Sequence, residues 1–377
     1  MTYYRRTLQP IIEASLFKRK IIILYGARQV GKTTLVQEIL SQHPAPSLYL
    51  NCDEPDIRAA LTDRTSTQLR ALIGTRSLVV IDEAQRVRDI GLALKLLVDN
   101  FPELQVIATG SSSFELSNRT SEPLTGRKIE FCLYPLSVAE LLTQETPLEA
   151  QRLLERRLRY GLYPDVVSSD DPAAAIREIA TSYLYRDVLE YQVVRNPDTL
   201  RRLLQALALQ SGSEVSYNEL GQLLGIDKIT VGRYISLLEQ AYIIFQLPPF
   251  SRNLRKELSK LRKVYFYDLG VRNALINNFN PLELRQDVGA LWENFFISER
   301  IKYNNNRRRT VNTYFWRTYA QAELDYLEEE GGQLACFECK WRDERWRAPT
   351  AFVQAYPGSK LHLVSPQNYL EFLTDQD

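Results

Sequence analysis

Two histidines, one methionine and four cysteines among 377 residues leave little material for several kinds of chemistry. With only His43 and His362, a zinc centre or a histidine-based triad is not expected. Cys52, Cys132, Cys336 and Cys339 are too few for a disulfide framework, which points to a reducing, cytoplasmic compartment. No apolar run reaches the roughly eighteen residues of a membrane span. The opening stretch MTYYRRTLQPIIEASLFKRK has no signal-peptide core, so no membrane association is expected. An excess of either charge is also missing. The 47 Lys+Arg and 46 Asp+Glu give a net charge of +1, so any nucleic-acid contact has to come from a local basic patch. What is present, 45% hydrophobic and 25% charged residues, is the balance of a soluble globular chain, and the length implies two or three domains.

The first informative stretch is KIIILYGARQVGKTTL. Its apolar run has the pattern of a strand buried on both faces, and TTLVQEIL continues with helical spacing. Strand, glycine loop and helix are the context in which G-x-x-x-x-G-K-T grips a nucleoside triphosphate. Residue frequencies alone give the bare pattern in roughly one chain in a hundred, so a mere glycine-rich turn is the weaker reading. Gly26, Ala27, Arg28, Gln29, Val30, Gly31, Lys32, Thr33 and Thr34 are the expected ATP-binding residues. Backbone N–H groups and the helix N-terminus would face the phosphates, Lys32 the β/γ oxygens, and the Thr33 hydroxyl Mg²⁺. A second buried run, SLVVIDEAQ, ends in Asp82, suited to supporting the hydrated Mg²⁺, and Glu83, suited to activating water. A third, LQVIATGSSS, ends in Thr109, Gly110 and Ser111. Thr109 or Ser111 could sense the γ-phosphate there; a plain Ser/Thr turn is the other reading.

Together GARQVGKTTL, VVIDEAQ, IATGSSSFELS, LTGR and YPLSVAEL resemble the AAA-type P-loop ATPases of bacteria and archaea that carry a C-terminal domain of unknown function. The resemblance covers nearly the whole chain. It implies an α/β sheet with the sensor strand between the P-loop and Asp-Glu strands, followed by a helical lid. It further implies a winged helix and a C-terminal domain similar to restriction-type nucleases, and it is compatible with a homo-oligomer, a ring or a smaller assembly. Arg127 and Arg119 both follow the sensor strand, and either could serve as an arginine finger, in cis or from a neighbouring subunit. Arg186 is a further candidate in the lid region, though a salt bridge is the favoured reading.

The expected boundaries are a P-loop ATPase core over 1–140, a helical lid over 141–200, a winged helix-turn-helix over 201–283, and a restriction-endonuclease-like α/β domain over 284–377. In the third segment, VSYNELGQLLGIDKITVGRYISLLEQ has helix-turn-helix spacing, with its turn at Gly225-Ile226. Lys228, Thr230 and Arg233 would then face DNA. Two apolar strands follow, joined by a basic connection containing Arg252, Arg255, Lys256, Lys260, Arg262 and Lys263 against one acidic residue, Glu257. A basic wing suits phosphate contact, while a packing module or a solvated loop explains it without DNA.

The last segment opens on GALWENFFISERIKY, an expected amphipathic helix with Trp292, Phe295, Phe296 and Ile301 toward a core. The strands AELDYLEE and QLACFECKW are joined by Gly331-Gly332, a hairpin signal. Alternation puts Cys336 and Cys339 on opposite faces, against a redox or zinc pair. A two-residue turn sets Asp325 opposite Glu338; a four-residue loop sets it opposite Cys336. In either register Asp325, Glu338 and Lys340 share a surface, where two carboxylates suit Mg²⁺ and a lysine can orient water for phosphodiester attack. The trio is similar to the D…E-x-K core of restriction-endonuclease-like domains, and Glu293 matches the acidic position of their first helix. An exposed polar strand face is the plainer alternative. As a function this reads as an ATPase coupled to DNA binding and Mg²⁺-dependent cleavage; the alternative is a nucleotide-gated switch whose C-terminal domain recruits a partner.

Overall fold

In the computed structural model, which describes residues 3–44, 46–110, 124–183, 196–250, 262–318, 320, 322–342 and 345–375, the apolar runs become strands of a parallel sheet. These are β1 (Ile21–Tyr25), β2 (Ser47–Asn51), β3 (Leu78–Asp82), β4 (Gln105–Gly110) and β5 (Lys128–Cys132). Their order is β2-β3-β4-β1-β5, and every pairing is parallel. β1, β3 and β4 are buried at every position, because helices such as α1 (Lys32–Gln42) and α2 (Ile90–Asn100) leave the central strands no wet face. The strand ending in Thr109 therefore does lie between the P-loop strand and the Asp-Glu strand. The α/β fold with a central parallel sheet is as expected.

The chain divides into two compact units, one formed by Arg5–Pro135 with Gln240–Tyr242 and containing this sheet, the other by Met1–Tyr4, Leu136–Glu239 and Ile243–Asp377. In the second unit α3 (Leu154–Tyr160) and α4 (Pro197–Leu209) precede a short strand β6 (Glu214–Val215). Then come α5 (Tyr217–Leu224) and α6 (Lys228–Gln240), joined by a turn in which Gly225 has φ 70°. The turn is close. A Cβ on Gly221 would lie 2.7 Å from the Ile226 carbonyl oxygen, and Ile226 N–H donates to the Gly221 carbonyl. Asp227 starts α6 by accepting from the Ile229 and Thr230 N–H groups. β7 (Ile244–Leu247) and β8 (Arg262–Phe266) complete an antiparallel sheet ordered β6-β8-β7.

The long helix α7 (Val288–Asn306) follows, with a sheet ordered β12-β11-β10-β9. Its strands are β9 (Asn312–Arg317), β10 (Glu323–Glu330), β11 (Gln333–Cys339) and β12 (Lys360–Val364). β9, β10 and β11 run antiparallel in sequence, while β12 lies parallel to β11. Gly331 (φ 58°) and Gly332 (φ 80°) make the turn itself, since Glu330 pairs with Gln333. The two-residue reading therefore stands. Carrying the register one step past Tyr326–Phe337 sets Asp325 opposite Glu338. On its β9 side, β10 shifts register between Leu324 and Leu327, so the irregularity falls on Asp325 and Tyr326. Cys336 and Cys339 join different apolar clusters and all four cysteines are free.

α7 departs from the amphipathic expectation. Trp292, Phe295 and Phe296 are buried, but so are Asn294, Glu299, Arg300 and Lys302. Such burial is tolerable only where every polar group is met. Asn294 accepts from Ser211 Oγ and Phe266 N–H and donates to the Phe266 carbonyl, at 2.7–3.0 Å. Lys302 Nζ reaches Glu299 at 2.7 Å, and Arg300 pairs with Glu328. The helix is the spine of one apolar cluster that takes in Leu154 and Leu158 of α3, Phe245 of β7, Tyr265 of β8 and Phe337 of β11.

Candidate functional site

The glycine loop leaves β1 at its carboxyl end and enters α1 at Lys32. Gly26 has no room for a side chain, because a Cβ would meet the Leu133 carbonyl oxygen at 2.2 Å. Gln29 (φ 56°) and Gly31 (φ 94°) take left-handed conformations that curl the loop over the helix N-terminus. Lys32 is buried and donates to the carbonyls of Gly26 and Ala27, at 2.9 and 2.8 Å. Thr33 and Thr34 are exposed. Thr33 Oγ1 donates to Asp82 Oδ2 at 2.8 Å, and Thr109 Oγ1 donates to Asp82 Oδ1. Asp82 thus has both oxygens occupied by hydroxyls from α1 and β4.

A third hydroxyl was not anticipated. Tyr49, on β2, donates to the same Asp82 Oδ2 at 2.5 Å, and burial and that bond raise its pKa above the ordinary tyrosine value. Only the strand order reveals it. Glu83 follows at φ 52°, its N–H donating to Thr109 Oγ1 at 3.1 Å. Gln85 Nε2 donates to Glu83 Oε2 at 2.5 Å. Lys32, Thr33, Asp82, Glu83 and Thr109 are accordingly brought together at the carboxyl edge of the sheet, where ligands of open parallel sheets bind. Ser111, Arg119 and Arg186 lie outside the described residues.

Arg127 is placed elsewhere. Its carbonyl accepts from Ile21 N–H at the amino end of β1, and its side chain pairs with Asp99 of α2 at 2.6 Å. The five residues of β1 separate that edge from the glycine loop by roughly 15 Å. Arg127 is therefore not a finger for its own chain's loop, which corrects the cis reading. Polypeptide spacing after the sensor strand said nothing about which sheet edge it would reach.

The second set of expected residues lies in the other unit, against a cleft of about 890 Å³ whose walls include Arg152, Glu155, Glu293, Asp325, Lys340 and Arg342. Asp325 Oδ2 accepts from Cys339 N–H at 2.8 Å. Its pKa is pushed up to about 7, by burial first and then by the charge of Glu293. Glu338 is likewise raised to about 7, by burial and by Asp325. Lys340 Nζ pairs with Glu338 Oε1 at 2.9 Å, while Glu338 Oε2 is buried with no hydrogen-bond partner among the described residues. Among the described residues no three His, Cys, Asp or Glu side chains converge as metal ligands.

Lys263 overturns its expected role. It is 3% exposed, so it cannot belong to a basic phosphate-contacting surface. Its ammonium lies 3.2 Å from Glu293 Oε1 and 4.0 Å from Asp325 Oδ1, and it also pairs with Glu323 Oε1. Tyr265, two residues on, donates to Glu293 Oε1 at 2.6 Å. Of the other basic-connection residues, Arg252, Arg255, Lys256 and Lys260 lie outside the described residues, as does Glu257. Lys228 and Arg233 on α6 are exposed, whereas the Thr230 hydroxyl is engaged by Asp227 Oδ2 at 2.6 Å.

Three family models match the chain: an AAA domain over residues 18–142, a domain of unknown function (DUF8612) over 151–282, and another (DUF4143) over 288–375. The "Uncharacterized protein Rv2008c" of Mycobacterium tuberculosis is 31% identical over 345 residues, covering 90% of this chain and 74% of that protein. The chain belongs to that family of AAA-domain proteins. The "Uncharacterized protein MJ1544" of Methanocaldococcus jannaschii is 26% identical, over 78% of this chain and 72% of its own length. Among solved structures, the STAND protein with a tetratricopeptide repeat sensor from Pyrococcus horikoshii is 13% identical, with a TM-score of 0.31 over 81% of this chain and 48% of that one. A score that low carries nothing further. This AAA-family chain is an ATP-binding P-loop ATPase, and among the described residues no helix is long and apolar enough to cross a membrane.

Proposed function

We propose that the chain is an Mg²⁺-dependent ATP hydrolase that acts on DNA. The observation that carries the ATPase part is the convergence of Lys32, Thr33, Asp82, Glu83 and Thr109 at one sheet edge. The donor set fits the nucleotide and its ion. The hydroxyl and carboxylate oxygens of Thr33 and Asp82 are hard ligands, side by side at 2.8 Å. When bound, Mg²⁺ neutralises charge developing on the transferred phosphoryl group. Lys32 exchanges the Gly26 and Ala27 carbonyls for β/γ-phosphate oxygens. Thr33 and Asp82 would hold the ion, Glu83 would take the proton of the attacking water, and Thr109, which accepts from the Glu83 N–H, would sense the γ-phosphate. Lys32→Ala should weaken ATP binding about ten- to a hundredfold, the loss of a charge-assisted contact. Labelled-ATP binding and turnover, each with and without Mg²⁺ and DNA, measure this. Unchanged affinity in the variant removes Lys32 from the site, and turnover indifferent to every form of DNA removes DNA from the function.

DNA contact is supported by the α5–turn–α6 pair followed by the β7–β8 hairpin, the element order of a winged helix, with Lys228 and Arg233 exposed on the second helix. Cleavage is supported by the cross-strand Asp325 and Glu338, which would hold a divalent ion, with Lys340 beside them. The recruitment reading has one specific observation in its favour: Lys263 is already ion-paired with Glu293 and Glu323. Asp325→Asn separates the two readings. Nicking of DNA with Mg²⁺ or Mn²⁺ should vanish in the variant while ATP turnover persists. If the wild-type protein nicks no form of DNA with either ion, the C-terminal sheet is a recruitment surface.

A further inference from the structure

We propose that Lys263 is the resident cation of the carboxylate cluster beside this cleft, a positioning residue delivered by β8 that takes the place of one divalent ion. The inference rests on the metal reading of Asp325 and Glu338 above. Four carboxylates meet here: Glu293 from α7, Glu323 and Asp325 from β10, and Glu338 from β11. Lys340 serves Glu338, and Arg317 approaches Glu323 Oε2 at 3.7 Å. Glu293 and Asp325 instead pair with Lys263. Their cation comes from β8, in the segment before α7, with Tyr265 of the same strand fastening Glu293. Lys263 is buried, and its ammonium lies 5.5 Å from the centre of the Phe315 ring, so it is held at the carboxylates rather than in solvent.

An ammonium and a hard divalent ion compete for the same oxygens. With Lys263 between Glu293, Glu323 and Asp325, no three carboxylates can close on an ion. What remains is the Asp325–Glu338 pair, including Glu338 Oε2, which is buried without a hydrogen-bond partner among the described residues. As held by Lys263, no three of these carboxylates converge as metal ligands among the described residues, so the native cluster should admit one ion at most and gain room for a further one only when the ammonium is removed. Removing the ammonium leaves uncompensated buried carboxylates, which a further ion can neutralise.

The test is Mn²⁺ stoichiometry by titration of nucleotide-free full-length protein, in a Lys32→Ala background, for Lys263, Lys263→Met and Lys263→Arg. One ion is expected with lysine or arginine, and two with methionine. Thermal midpoints should fall in Lys263→Met without Mn²⁺ and recover most of the loss with it. If Lys263→Met does not fold, Lys263→Met/Glu323→Gln removes a matching negative charge and is titrated instead. One ion in wild type and still one in the methionine variant overturns the inference and leaves the metal reading standing. No ion in wild type but one in the variant does the reverse: the ammonium is the resident cation and the native cleft is closed to metal. No ion in either protein, or two in wild type, overturns the inference, and the former sinks the metal reading with it.

Discussion

Glu83→Gln should bind ATP like the wild type and hydrolyse it about a hundred- to ten-thousandfold more slowly, the range lost with a general base. The substitution isolates the base from everything else Glu83 does. Its backbone stays at φ 52°, its N–H still meets Thr109, and an amide oxygen can still accept from Gln85. What goes is the negative charge and, with it, the capacity to take a proton. The Asp82 carboxylate is untouched, because it keeps its bonds from the hydroxyls of Thr33, Thr109 and Tyr49. Parallel measurement of labelled-ATP binding and phosphate release decides the matter. Turnover at the wild-type rate would strip Glu83 of its role, and loss of binding would show instead that its charge helps hold the loop.

Arg300→Met should cost the larger unit about 3–5 kcal/mol, the penalty for leaving a buried charge without its partner. Glu328 is 2% exposed and takes Arg300 Nε at 3.0 Å and Nη2 at 2.5 Å, with Asn304 Nδ2 at 2.6 Å on the first of those oxygens. Without the guanidinium, Asn304 cannot offset a full charge, and Arg309 stands 3.9 Å off. The double change Arg300→Met/Glu328→Met should be less harmful than Arg300→Met alone, since it removes the stranded carboxylate as well. Trp292, Trp316, Trp341 and Trp346 are the chain's four tryptophans and all belong to this unit, so denaturation followed by their fluorescence reports it directly. A double variant no better than the single one would mean that packing of the two aliphatic stems, not charge, is what the pair supplies.

Local rules were enough for the glycine loop, for Asp82 and Glu83 at a strand end, for the turn at Gly225 and for the hairpin at Gly331-Gly332. Each depends on residues within a few positions of one another: two glycines that tolerate positive φ, or an apolar run that must end where an acid begins. The hairpin put Asp325 and Glu338 on one face in either register, and the Glu330–Gln333 pairing then chose the two-residue turn that sets them opposite each other. Tyr49, Arg127 and Lys263 were beyond such rules. Tyr49 meets Asp82 because β2 lies beside β3, and Arg127 misses the loop because it enters β5 at the sheet's amino edge. Lys263 looked like one more charge in a basic run, and its neighbours along the chain remain the only evidence a sequence offers. Its partners are thirty to sixty-two residues away, on α7 and β10, and only the packing of β8 against that helix and sheet turns a surface-like lysine into a buried counter-ion.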